Sequence, residues 1–375
     1  MPDHILSAWR SAGSRGASAR TAWEKRVAAL PAEVQSECVR LSQGDLPAGW
    51  EAAAAAFKAK MSAEQPKVAT RKASEMALEV LTAAIPEMIG GSADLTHSNL
   101  TITKSTKPIK DGDFTGRYIH YGVREHGMAS VMNGIALHGG FIPYGGTFLV
   151  FADYLRPALR MSALMGLRVI YVLTHDSIGL GEDGPTHQPI ETVAAIRAIP
   201  NVLMFRPADP VETMECYQIA LASTNMPSVL ALSRQNLPTV RTTHTEENLS
   251  AKGAYVLSEA EGERQATILA TGSEVSLALE AQKMLKAKGV AAAVVSMPSW
   301  ELFERQPDEY QWQVLGKGVR VAVEALSTFG WERYVGKKGA IIGMTGFGAS
   351  APAEQLYPHF GITAQAVVDA VTTRL

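Results

Sequence analysis

From about residue 66 to the C-terminus, short apolar runs alternate with longer amphipathic segments, and no other feature constrains the fold as strongly. "RVIYVLTH" and "SVLALSR" are apolar enough to be strands buried on both faces, whereas "VETMECYQIALAS" between them has helical spacing. Strands of this kind separated by helices are typical of parallel sheets. The sequence therefore predicts an α/β fold with mostly parallel sheets.

A polar stretch at residues 241–254 interrupts the alternation, and residues 1–65 contain no strand-like run. We therefore predict two consecutive α/β domains, at residues 66–240 and 255–375, joined by a linker at 241–254. Residues 1–65 are rich in Ala, Arg and Glu and have helical periodicity. This pattern predicts an amphipathic helical lead-in without a core of its own.

The composition is that of a globular protein and excludes several functional classes. The 35 basic and 37 acidic side chains nearly cancel, which argues against a nucleic-acid-binding surface. Cys38 and Cys216 are too few for a disulfide framework, so a reducing compartment is expected. The sequence contains neither a secretory signal nor an apolar run of the ~20 residues that cross a bilayer. We therefore expect a cytoplasmic protein that binds neither nucleic acid nor membranes.

A polar, glycine-rich loop, "THDSIGLGEDGPTHQP" at residues 174–189, follows the apolar run "LRVIYVL". In open parallel sheets, ligands bind beyond the carboxyl ends of the strands. His175, Asp183 and His187 can bind sugar-like hydroxyls, and histidine can transfer protons near neutral pH. Two alternatives stay open: a surface turn that only meets water, and a metal site, for which the ligand spacing is poor.

Other candidate residues have both a structural and a functional interpretation. Glu125 begins a predicted helix, where an acid favours the helix dipole. Phe148, Phe151 and Tyr154 repeat every three residues on a predicted helical face, which indicates either core packing or stacking against a flat heteroaromatic ligand.

A basic group forms the last set of candidates. Arg71 in "ATRKASE" and Arg234 in "LSRQNLP" can each bind a phosphate through two N–H donors. Ser98 in "ADLTHSN" belongs to the same candidate set. Each of these arginines fits an ordinary surface position equally well.

Taken in order, these segments resemble the transketolase family. The resemblance rests on "GGSADLTHSNLT", "YIHYGVREHGMASVMNGIALHGGFIPYGGTF", "THDSIGLGEDGPTHQPIET" and "FGASAPAEQLYPHFGIT", and it extends from about residue 68 to the end. It implies a pyrimidine-binding domain at 66–240 and a transketolase C-terminal domain at 255–375. It also implies transfer of a two-carbon ketol unit from a ketose phosphate to an aldose phosphate through thiamine diphosphate, as in the pentose phosphate pathway.

The resemblance implies a role for each candidate residue. Glu125 matches the glutamate that hydrogen-bonds N1′ of the cofactor's aminopyrimidine, and His175 and His187 match residues that assist proton transfer. The implied cofactor-binding residues are Glu125, Phe148, Phe151, Tyr154, Asp94 and Leu95. The implied substrate-binding residues are Arg71, Ser98, His175, Asp183, His187 and Arg234. No metal ligand is expected within this chain.

The family's Gly-Asp-Gly motif with its downstream asparagine, which holds a divalent cation and the diphosphate, has no counterpart here. That motif ends a hydrophobic strand and has an asparagine downstream. Neither "DGDF" at 111–114 nor "EDGP" at 182–185 meets both conditions. We therefore expect a separate N-terminal transketolase subunit to carry that domain with Mg²⁺ or Ca²⁺ and to share thiamine diphosphate with this chain. The expected assembly is a homodimer or a heterotetramer.

Three alternatives stay open at this point. The chain fits a truncated product that folds without turning over, and it fits a non-catalytic transketolase-like module for dimerisation or regulation. It also fits a related thiamine enzyme, such as a formaldehyde-accepting transketolase or a deoxyxylulose-phosphate synthase. The acceptor aldose and the requirement for a partner separate these readings.

Overall fold

The computed structural model describes every residue from Met1 to Leu375, in two compact units, Met1–Pro47 and Ala48–Leu375. The first unit is helical, and none of its helical residues is buried. Its helices are α1 (Asp3–Ser14), α2 (Ala17–Ala28) and α3 (Ala32–Gln43). The predicted helical segment at the N-terminus is therefore confirmed.

The second unit alternates helices with strands. Its helices are α4 (Trp50–Glu64), α5 (Thr70–Ala84), α6 (Thr96–Asn99), α7 (Glu125–His138), α8 (Ala152–Leu164), α9 (Thr192–Arg197), α10 (Pro210–Ala222), α11 (Glu274–Ala287), α12 (Trp300–Phe303), α13 (Asp308–Leu315), α14 (Glu332–Val335), α15 (Ala353–His359) and α16 (Ala364–Thr372). None of the helices is both long and apolar enough to cross a bilayer.

Helix α4 lies in the second unit, where it packs against α5 and α10. It buries Trp50, Phe57 and Met61, and the ammonium of Lys58 lies 3.3 Å from a carboxylate oxygen of Glu215 on α10. The lead-in predicted at residues 1–65 therefore includes residues of both units.

The first sheet has six strands in the order β2-β1-β3-β4-β6-β5, and all neighbours are parallel. The strands are β1 (Met88–Ser92), β2 (Tyr118–His120), β3 (Ile142–Phe148), β4 (Ile170–Thr174), β5 (Leu203–Phe205) and β6 (Ser228–Leu232). Strands β3, β4, β5 and β6 are buried along their whole length, as the apolar runs "RVIYVLTH" and "SVLALSR" predict for β4 and β6.

The second sheet has five strands in the order β11-β10-β8-β9-β7. They are β7 (Tyr255–Ser258), β8 (Ala266–Ala270), β9 (Ala292–Ser296), β10 (Val319–Ser327) and β11 (Ala340–Met344). Only β7 is antiparallel to its neighbour, and sequence analysis did not identify this short edge strand. Two mostly parallel sheets confirm the predicted fold class, whereas the domain boundary at 241–254 stays a prediction.

Candidate active site

The candidate residues gather at one edge of the first sheet. Strands β2, β1, β3, β4 and β6 are consecutive parallel neighbours, so their carboxyl ends meet at this edge. The residues that follow these ends are Asp94, Leu95 and Ser98 after β1; Glu125 after β2; Phe151 and Tyr154 after β3, whose last residue is Phe148; His175, Asp183 and His187 after β4; and Arg234 after β6.

Arg71 reaches the same edge from the first turn of α5. The backbone N–H of Thr70 donates to Ser233 Oγ at 2.9 Å, and the backbone N–H of Ser233 donates to Thr70 Oγ1 at 2.7 Å. These bonds tie the start of α5 to the residue before Arg234. Arg71 Nη1 then donates to the carbonyl oxygen of Ser98 at 2.9 Å, so three of the predicted phosphate-binding residues come together.

The charges around His175 and Arg71 interact with one another. Burial lowers the pKa of Arg71, the positive charge of Arg234 lowers it further, and Asp183 opposes both. Burial likewise lowers the pKa of His175 to about 3, with further contributions from Arg71, Arg234 and His187. An imidazole with this pKa is neutral at pH 7.

The backbone of His175 is also unusual, with a φ of 64° in the left-handed region. Only 3% of the residue is exposed, and its ring lies against that of Phe148 with 3.7 Å between the ring centroids. Left-handed backbone in a residue other than glycine is unfavourable and clusters at functional sites. Asp94, at φ 63°, is a second case at the same edge.

Aromatic rings line the space beside His175. The rings of Phe148 and Phe151 stack with 5.7 Å between centroids and 12° between planes, and His187 stands edge-on to both, at 6.2 and 5.6 Å. Tyr154 lies 6.0 Å from Phe151 and is 62% exposed. The prediction of one helical face is wrong, because Phe148 ends strand β3, Phe151 lies in a 3₁₀ turn, and only Tyr154 lies in α8.

Glu125 is the first residue of α7 and is 7% exposed. Its carboxylate makes no hydrogen bond or ion pair within the chain. Buried polar groups in proteins nearly always have a partner, so this carboxylate is available to a ligand. No group of three or more His, Cys, Asp or Glu side chains in residues 1–375 is arranged to hold a metal ion.

The loop at 174–189 is held by Arg234, a predicted phosphate-binding residue, and by Gln188, which sequence analysis did not single out. Gln188 Nε2 donates to the carbonyl oxygens of Gly181, at 3.2 Å, and Ala349, at 2.9 Å. Arg234 Nη1 donates to the carbonyl oxygen of Leu180 at 2.9 Å. Ala349 lies in "FGASAPAEQLYPHFGIT", one of the family-like motifs, and that motif was the available signal.

Two family models match the chain. The pyrimidine binding domain of transketolase matches residues 66–240, and the transketolase-like TK C-terminal domain matches residues 253–363. Curated transketolases from Cereibacter sphaeroides and Sinorhizobium medicae are 57% and 60% identical to this chain, over 100% and 98% of its length. The chain spans about half the length of these relatives, 56% and 53% respectively.

Solved structures give the same result. Transketolase from Leishmania mexicana is 45% identical with a TM-score of 0.91, and the match covers 100% of this chain and 55% of that one. A structure described as a split gene transketolase, inactive beta4 tetramer, is 28% identical with a TM-score of 0.68. In that case the match covers 82% of this chain and 98% of the other.

Proposed function

This chain is a member of the transketolase family, and from that premise we propose that it is the C-terminal subunit of a split transketolase. A separate subunit with the diphosphate-binding domain completes the site. The assembled enzyme transfers a two-carbon ketol unit from a ketose phosphate to an aldose phosphate. The observation that carries the proposal is the buried, unpartnered Glu125 at the same sheet edge as His175, Arg71 and Arg234.

The residues present fit the aminopyrimidine half of thiamine diphosphate. The free carboxylate of Glu125 suits a ring nitrogen that shares a proton, and the paired rings of Phe148 and Phe151 suit a flat heteroaromatic ring. Tyr154, Asp94 and Leu95 complete the proposed cofactor-binding group. When bound, thiamine diphosphate supplies a carbon nucleophile and stores the electron pair released by carbon–carbon cleavage.

The chain's own residues then bind and orient the substrate. Arg71 and Arg234 hold the phosphate through paired N–H donors, with Ser98 beside them. Asp183 accepts a hydrogen bond from a sugar hydroxyl, and His175 and His187 bond to oxygens nearer the reacting carbons. The Phe148 and Phe151 rings exclude water from that end, which strengthens each polar contact.

The partner subunit is proposed to carry the diphosphate-binding residues with Mg²⁺ or Ca²⁺. Residues 1–375 of this chain contain no cluster suited to a metal, and the relative described as an inactive beta4 tetramer is a split gene product that lacks activity in that form. We propose a homodimer of this chain alone and a heterotetramer with its partner, which mass measurement in solution distinguishes.

The test combines this chain with a diphosphate-binding subunit, thiamine diphosphate and Mg²⁺, and measures ketol transfer between sugar phosphates. We expect transfer only when both chains are present. Glu125→Gln should lower kcat by about 10²-fold or more, because the proton held at the aminopyrimidine is lost. Glu51→Gln, at an exposed first-turn acid of α4, is the matched control and should leave kcat unchanged.

Two results would contradict the proposal. Absence of ketol transfer with every complementary subunit would leave the non-catalytic module for dimerisation or regulation as the better account. Full activity of Glu125→Gln would remove the proton-holding role from Glu125. A preference for formaldehyde or for a ketoacid donor would instead indicate one of the related thiamine enzymes.

A further inference from the structure

A series of buried hydrogen bonds connects the loop after β1 to the ring of His175. The backbone N–H of Leu95 donates to Ser92 Oγ at 3.1 Å, and Ser92 Oγ donates to Asn99 Oδ1 at 2.9 Å. Asn99 Nδ2 donates to Thr174 Oγ1 at 2.8 Å, and Thr174 Oγ1 lies 2.8 Å from Nδ1 of His175. Ser92, Asn99 and Thr174 have no exposed surface, so these side chains satisfy one another.

The donor and acceptor roles in this series are fixed by its first hydrogen bond, from the backbone N–H of Leu95. A backbone N–H only donates, so Ser92 Oγ accepts from Leu95 and has its own single hydrogen left to donate. If the Asn99 amide were turned round, that hydrogen would face an N–H₂ group and would have no acceptor. A buried donor without an acceptor is unfavourable, so the carbonyl oxygen of Asn99 faces Ser92 and its amide nitrogen faces Thr174.

The hydroxyl of Thr174 is constrained in the same way as that of Ser92. Thr174 Oγ1 accepts from Asn99, and apart from Nδ1 of His175 it has no hydrogen-bond partner within the chain. Its hydrogen therefore points to Nδ1 of His175, which must be an unprotonated acceptor. The second ring nitrogen, Nε2, makes no hydrogen bond within the chain, and Phe148 covers a face of the ring rather than its edge.

We propose that Leu95, Ser92, Asn99 and Thr174 fix His175 in the tautomer with its hydrogen on Nε2. His175 then presents a neutral hydrogen-bond donor to the ligand, and Asn99 and Thr174 are positioning residues. Such a donor selects a carbonyl or hydroxyl oxygen that accepts, and it does not act as the first proton acceptor from a substrate hydroxyl. That this oxygen belongs to a ketose phosphate rests on the proposed function, whereas the tautomer does not.

The tautomer is measurable on this chain without a partner or cofactor. With ¹⁵N-labelled histidine, NMR distinguishes a protonated ring nitrogen from an unprotonated one, and the His175→Gln variant identifies the signals. At pH 7 we expect an unprotonated Nδ1 and a protonated Nε2. Thr174→Val removes the hydroxyl at nearly constant volume and should shift His175 to a mixture of tautomers, whereas Thr174→Ser should retain the wild-type signals.

Thr147 provides the matched control. It lies on the neighbouring strand β3, is fully buried, and its hydroxyl has no partner. Thr147→Val should leave the His175 signals unchanged. A protonated Nδ1 in the wild type, or an unaltered tautomer in a folded Thr174→Val variant, would overturn the proposal. If Thr174→Val fails to fold, the wild-type and Thr174→Ser spectra still decide it.

Ketol transfer with a complementary subunit gives a second readout. Thr174→Val should lower kcat/KM for the ketose phosphate on the order of tenfold, comparable to the loss when a metal-binding histidine is deprived of its orienting partner. Thr147→Val should not lower it. No transfer by the wild type would reject the proposed function, while the NMR spectra would still decide the tautomer.

Discussion

His175 combines a left-handed backbone with a buried, uncharged imidazole next to Arg71 and Arg234. The left-handed backbone is unfavourable for folding, and the two guanidinium charges beside the ring suit a ligand that brings negative charge. A bound phosphate would offset the two guanidinium charges that now disfavour a proton on the ring. Burial is the largest cause of the lowered pKa and would remain in a complex, which is consistent with a neutral His175 that donates from Nε2 to the ligand.

The lowered pKa of His175 predicts a loss of stability in acid. The folded-state pKa is about 3, below the ordinary value of 6.5, so the unfolded chain binds the proton more readily below pH 6.5. The contribution is complete above pH 6.5 and is lost as pH falls toward 3. At pH 5 the loss amounts to about 2 kcal/mol relative to neutral pH.

His175→Asn should remove this pH-dependent contribution to the free energy of unfolding. Urea unfolding at pH 7 and pH 5 should show that the wild type loses about 2 kcal/mol more than the variant between the two conditions. His4→Asn, at an exposed histidine of α1, is the control and should behave like the wild type. Equal pH dependence of wild type and His175→Asn would show that the imidazole is protonated as readily in the folded state as in the unfolded state.

At the scale of elements, strand positions were predictable because apolar runs of five to seven residues leave few alternatives. The three-residue spacing of Phe148, Phe151 and Tyr154 led to the wrong prediction of one helical face, because such spacing does not reveal where a strand ends. Strand β3 continues to Phe148 because that residue pairs with Thr174 on β4. The hydrogen bond between Asn99 and Thr174 joins residues 75 positions apart, so no local sequence pattern predicts it.

The loop at 174–189 depends on a close contact between Gln188 and Gly348. A Cβ atom at Gly348 would lie 1.6 Å from Oε1 of Gln188, the far end of a flexible side chain that would have to move. Gln188 would then lose its bonds to Gly181 and Ala349, at about 1 kcal/mol each. Gly348→Ala should therefore loosen the loop with little effect on the rest of the fold.

Cleavage after the exposed Glu182 by a glutamate-specific protease measures this opening on the chain alone. We expect roughly 30-fold faster cleavage in Gly348→Ala, because two lost bonds of about 1 kcal/mol each make opening easier by about 2 kcal/mol. Gly346→Ala is the matched control, since a Cβ there meets nothing within 4 Å. Similar cleavage rates for the two variants would show that Gln188 does not restrain the loop.

At the scale of the whole second unit, a buried group of charges joins the edge of the first sheet to the second sheet. Nε of Arg206, after β5, donates to Asp176 at 2.9 Å, and Nη1 pairs with Glu274 on α11. Arg206 Nη1 also donates to the carbonyl oxygen of Thr271 at 3.0 Å, and all four residues are buried. Asp176 directly follows His175, so the second sheet helps to position the candidate site.

Nothing in the sequence predicted this group, because an arginine, an aspartate and a glutamate read singly as surface residues. Their burial is tolerated because each charge has a partner. Burial by itself would lower the pKa of Arg206, but Glu274, Asp176 and Glu324 raise it above its usual value. The guanidinium is therefore charged under all ordinary conditions, and it is the common ion-pair partner of the buried Asp176 and Glu274.

Removal of this one cation should destabilise the chain far more than removal of a surface partner. Arg206→Met leaves Asp176 and Glu274 buried without their common partner, which costs about 3–5 kcal/mol in the free energy of unfolding at pH 8. The loss should shrink as pH falls toward 5, because a buried, unpaired carboxyl has a raised pKa and takes up a proton in the folded state. Arg333→Met, which breaks the exposed pair with Glu304, should cost less than about 1 kcal/mol at either pH. Chemical denaturation of both variants checks this, and equal losses would mean that the buried group contributes no more than a surface ion pair to the connection between the two sheets.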